Sequence, residues 1–119
     1  MTVRVDAADW DTIWRNLFAN ALEAAGEMPV SDVRLGVFAQ LLRDPITGTP
    51  IARVVLADNL PRSLTAEMIR GRAADRGWGV VADLVRRNEG TADVGPAPER
   101  PYRKGIVLEL PALEAGDEA

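Results

Sequence analysis

The chain has 119 residues, 14 basic and 18 acidic side chains for a net charge of −4, and neither cysteine nor histidine. Its length suits one domain with a single core, and 47% apolar with 27% charged residues is a globular balance. The missing residue types exclude disulfides, thiolate metal sites, cysteine nucleophiles, an imidazole base and self-phosphorylation on histidine, and the acidic balance excludes a duplex nucleic-acid surface, which needs a basic stripe.

In chain order, Val3 to Val5 alternate as a short strand. Asp6 or Asp9 is placed to cap a helix that begins near Trp10 and ends at Gly26, with Pro29 just beyond. Val33 to Leu42 reads as a strand, Asp44 to Thr49 as a turn and Ile51 to Ala57 as a second strand, together an antiparallel hairpin. Asp58-Asn59-Leu60-Pro61 breaks that strand, Ser63 is a candidate cap for a short helix carrying Leu64, Met68 and Ile69, and Arg70 to Arg76 reads as a loop. Gly77-Trp78-Gly79 reads as a turn opening a helix that carries Val80, Val81, Leu84 and Val85 and closes at a left-handed Gly90. Thr91 to Val94 forms a further strand, Gly95 to Pro101 a turn, and Ile106, Leu108 and Leu110 a last strand stopped by Pro111. Residues 1–112 then make one α+β domain, a two-layer sandwich with a mainly antiparallel sheet covered on one face, and 113–119 an acidic tail. No apolar run reaches bilayer length and residues 1–9 lack a signal-peptide core, so a cytoplasmic location without direct membrane contact is expected.

Three features carry candidate chemistry. Asn16 and Asn20 lie four apart on the first long helix, so their amides share one face, away from at least part of the apolar stripe of Ile13, Leu17, Phe18, Leu22 and Ala25. Asparagine is a mediocre helix former, and two carbonyl oxygens at this spacing suit a hard cation such as Mg²⁺; a solvated helix face is the plainer reading. Asp58 ends an apolar strand, where a carboxylate can accept a hydrogen bond from an amino group or simply cap a turn. Gly77-Trp78-Gly79-Val80 at a helix start offers backbone amides and a helix dipole to phosphate, although tight turns use glycine without any ligand.

In this order the chain resembles the ATP-binding domain of histidine kinases, within the superfamily of gyrase, the heat-shock chaperone ATPases and MutL, from Val3 to Pro111. The resemblance implies a Bergerat-type fold. It also implies that Asn16 and Asn20 match the residues holding Mg²⁺ and phosphate, that Asp58 matches the aspartate reading the adenine amino group, and that Gly77 and Gly79, with Trp78 and Val80 beside them, match the second glycine box. Lys104 to Pro111 resembles the family's final glycine and strand. Where the family has Asp-x-Gly-x-Gly, this chain has Asp58-Asn59-Leu60-Pro61-Arg62, and the short lid-like segment Leu60 to Arg76 carries Arg62, Arg70, Arg72 and Arg76 as possible phosphate partners. Members that hydrolyse ATP place a glutamate where this chain has Asn16, and an amide cannot take a proton, so an efficient ATPase is disfavoured. The implied function is a histidine kinase catalytic domain that presents ATP·Mg²⁺ for phosphoryl transfer to an acceptor histidine elsewhere, with a phosphoacceptor domain or response regulator as partner. Two alternatives stand beside it: a degenerate domain that binds no nucleotide and docks a protein, and an anti-sigma-type serine kinase.

Overall fold

The computed structural model describes residues 2–70 and 76–113. Strand β1 (Thr2–Val3) leads into helix α1 (Ala7–Ala25), which starts where the Asp6 carboxylate accepts the Asp9 N–H at 3.0 Å, satisfying a donor that the first turn leaves unpaired. Gly26 ends it at φ +53°, in the left-handed region that L side chains avoid. β2 (Leu35–Arg43) and β3 (Pro50–Asp58) form the expected hairpin, pairing residue for residue from Leu35↔Asp58 to Arg43↔Pro50. Its turn is held by Asp44 Oδ1, which accepts the N–H groups of Ile46 and Thr47.

Helix α2 (Ala66–Ile69) is capped by Thr65 rather than Ser63, because Thr65 has the extended backbone that lets its hydroxyl accept the Met68 N–H. In α3 (Arg76–Arg87), Gly77 and Gly79 lie inside the first helical turn and not in a turn before it. At the end of α3 it is Glu89, not Gly90, that takes positive φ, at 63°. Gly90 is needed for a different reason: a Cβ there would sit 2.5 Å from Leu110 Cδ2 and 2.7 Å from the Glu109 carbonyl oxygen.

β4 (Thr91–Pro96) and β5 (Lys104–Leu113) complete an antiparallel sheet ordered β1-β5-β3-β2, with β4 also paired to β5. Pro111 does not stop β5. Its carbonyl accepts the Arg4 N–H at 2.8 Å, and Ala112 and Leu113 pair with β1. The missing proline N–H falls where the edge of β5 passes from β4 to β1, so no ladder bond is lost in mid-strand. The tail beyond Leu113 and most of the Arg70 to Arg76 loop lie outside the described residues.

One face of the sheet is covered, as expected: Leu56, Ile106 and Leu108 meet Ile13 and Leu17 of α1, Ile69 of α2, and Trp78, Val81 and Val85 of α3. A smaller cluster occupies the other face, where Val55, Ala57 and Val107 lie under Phe38 and Tyr102. There the Tyr102 ring lies on Gly36, whose absent Cβ would come within 2.7 Å of it, and meets Phe38 edge-on at 5.6 Å. The two long helices are tied at one end by Asp9, which is buried and takes hydrogen bonds from Arg87 and from Asn88 Nδ2. These donors, Arg87 foremost, hold the Asp9 carboxyl below its ordinary value of 3.8.

Candidate functional site

Asn16 and Asn20 face the first turn of α3. A Cβ added at Gly77 would lie 3.2 Å from both amide atoms of Asn20 and 3.5 Å from Asn16 Oδ1, so glycine is what lets the helix start come this close. Asn16 gives its own Nδ2 back to the Thr12 carbonyl at 2.8 Å, the local bond that competes with helix formation. Asn20 Nδ2 is buried with no hydrogen-bond partner among the described residues, a state that costs about 1–3 kcal/mol. An unspent donor beside a helix N-terminus suits a phosphate oxygen, and the amide oxygens suit a hard cation. Among the described residues no three carboxylate, histidine or cysteine side chains cluster as metal ligands, so a divalent ion here would depend on those amides. Of the neighbouring candidates, Gly79 opens on empty space, Val80 is exposed, and Trp78 is 2% exposed in the core.

Asp58 lies on the far side of the same region and is fully buried, at 0% exposure. Its carboxylate accepts the Leu60 N–H at 2.9 Å and Arg62 Nη2 at 3.0 Å, and Lys104 Nζ stands 3.5 Å away. Strand register brings the lysine, because Asp58 pairs with Lys104 across β3 and β5. Lys104 also donates to the Leu60 carbonyl at 2.6 Å, and the Arg103 N–H to the Asp58 carbonyl at 2.8 Å. Arg62 comes from four residues along the chain, is 11% exposed, and lies with Cζ 5.8 Å from the centre of the Trp78 ring. A buried carboxylate is tolerable only when paired and hydrogen-bonded, and two cations with one amide meet that condition without a ligand. Leu60, 1% exposed, seals the same corner. What remains open is a cleft of about 290 Å³ lined by Asn20, Glu23, Arg62, Ser63, Met68 and Trp78.

Over 92% of its length this chain superposes on 76% of a solved mycobacterial sensor histidine kinase, MprB, with a TM-score of 0.63 and 20% identity. The fold is histidine-kinase-related. At that identity the likeness is one of fold alone, the Bergerat-type α+β sandwich. No family model and no curated protein matches the chain.

In this histidine-kinase-related fold the sequence-derived residues divide into two groups. Asn16, Asn20 and Gly77 come together. Asp58 is separated from them by Arg62 and Trp78, which join Asn20 in lining the cleft. Among the lid arginines Arg62 points inward to Asp58, while Arg70 pairs with Asp93 at 3.4 Å near the surface; the side chains of Arg72 and Arg76 lie outside the described residues. The pairing of Lys104 with Asp58 and the Asp9, Arg87 and Asn88 cluster escaped the sequence reading. The i, i+4 spacing of Asp58 and Arg62 signals the ion pair between those two but not the arrival of Lys104, which depends on strand register.

Proposed function

We propose that this chain is a histidine-kinase-related domain in which the base half of the nucleotide site is filled by the protein's own side chains, so that it works by docking a signalling protein instead of presenting ATP. The observation that carries this reading is the Asp58 carboxylate, buried, hydrogen-bonded by Leu60 and Arg62 and paired with Lys104. A carboxylate already satisfied by two cations has little to gain from an adenine amino group, and binding the base requires Arg62 to leave its place beside Trp78. The partner on this reading is a phosphoacceptor-histidine domain or a response regulator.

The second reading is that of a domain presenting ATP·Mg²⁺, and the unspent Asn20 Nδ2 beside Gly77 favours it. The Asn16 and Asn20 amide oxygens would then hold the ion, which neutralises charge on the transferring phosphoryl group when bound. The unpartnered Asn20 amide favours a phosphate on this side, and the ion pairs of Asp58 disfavour a base on the other. Asn16, standing where a general base would be needed, leaves the serine-kinase alternative without support from this geometry.

Thermal melting with and without millimolar Mg²⁺·ADP separates the readings. The docking reading expects an unchanged midpoint. Stabilisation by about 2.7 kcal/mol, the value for ligand at a hundred times its dissociation constant, would overturn it.

A further inference from the structure

β2 is the last strand on its side of the sheet, and among the described residues its second edge pairs with nothing. Natural edge strands are usually blunted by shortness, charge, proline or a bulge. Over Leu35 to Leu42 β2 has none of these defences, its one charge being Arg43 at the very end: it is nine residues long, its pairing with β3 is unbroken, and Leu35 to Leu42 contains neither charge nor proline. The Asn59 N–H donates to the Arg34 carbonyl and the Asp44 N–H to the Thr49 carbonyl, so even-numbered residues of this strand turn their backbone groups toward β3. Leu35, Val37, Ala39 and Leu41 therefore turn theirs outward. The side chains of Val37 and Leu41, on one face, are 54% and 39% exposed.

We propose that this edge pairs with itself: two copies of the chain join β2 to β2, antiparallel, about a twofold axis at Ala39, making one continuous sheet. The register follows from the strand's own pattern. Pairing about Ala39 overlaps the strand along its whole length, sets Val37 opposite Leu41 twice, and sets Arg34 opposite Asp44 twice. Arg34 and Asp44 then occupy non-hydrogen-bonded positions, where facing side chains are closest. Asp44 is suited to this, since its turn uses Oδ1 for both of its N–H contacts. Sliding by two residues either way shortens the overlap and parts the opposite charges. A second copy fits better than an unrelated strand because the sequence complements itself at both ends. The pairing does not involve the Asp58 region and stands or falls separately from it.

Sedimentation of the full chain up to about 0.5 mM should show a monomer–dimer equilibrium. Ala39→Pro removes an outward N–H and no bond to β3, so it should keep the circular dichroism spectrum and cooperative melting while weakening the dimer about tenfold or more. Because the chain has no cysteine, a single Ala39→Cys exchange should give a covalent dimer on mild oxidation. Val37→Cys alone should not, and a mixture of Val37→Cys and Leu41→Cys chains should. A wild-type chain that stays monomeric throughout, or Val37→Cys chains cross-linking as readily as Ala39→Cys chains, would overturn the proposal even if the proline variant fails to fold.

Discussion

The two sides of the candidate site engage their buried polar groups differently. Around Asn16, Asn20 and Gly77, helix ends approach closely and a donor is left unspent. Around Asp58, the carboxylate is paired with the chain's own cations, and it is Arg62 Nε that has no partner among the described residues. Unsatisfied atoms, more than the backbone, indicate where a ligand still has something to bind, and each side of the region holds one such donor.

The sharpest way to break this contrast is Arg62→Gly. It leaves a fully buried carboxylate with Lys104 as its one cation, and removal of a partner from a buried pair costs about 3–5 kcal/mol. Urea denaturation measures the loss; a cost below about 1 kcal/mol would mean that Arg62 is not what makes the burial of Asp58 tolerable. A smaller, two-sided effect sharpens the other half. Gly79→Ala meets open space in a helix and should stabilise by about 0.5–1 kcal/mol, whereas Gly77→Ala presses on Asn20 and should forfeit that gain. Equal melting shifts for the two alanine variants would show that the asparagines do not crowd α3.

The smallest effect concerns acid, and serves as a control remote from both halves. Asp9 has a folded-state pKa below its unfolded value of 3.8, so between the two values the unfolded chain binds more protons. Its contribution is full above the unfolded value and is lost as pH falls through the folded one. The Asp9→Asn variant should therefore show a flatter decline of melting temperature below about pH 4 than the parent chain. A decline as steep as the parent's would remove Asp9 from the account.

Local signals were enough to read the scaffold. Asp6 and Gly26 bracket α1 because a cap and a left-handed glycine act within a few residues, and the β2–β3 hairpin follows from two apolar runs, the second rich in β-branched residues, on either side of the turn Asp44 to Thr49. The state of Asp58 was not legible to the same degree. It depends on a pairing with Lys104, 46 positions away, that exists only once β5 has found its register, and on which way the Arg62 side chain turns. Gly90 and Pro111 show the same limit. Each was expected to terminate its element, and each instead answers to a distant neighbour, the packing of Leu110 in one case and the arrival of β1 in the other.

Tyr102, Arg103 and Lys104 follow one another directly, and they touch Gly36, the Asp58 carbonyl and the Asp58 carboxylate in turn. The packing on the sheet's outer surface and the charge on its inner side are thus set by residues only two peptide units apart.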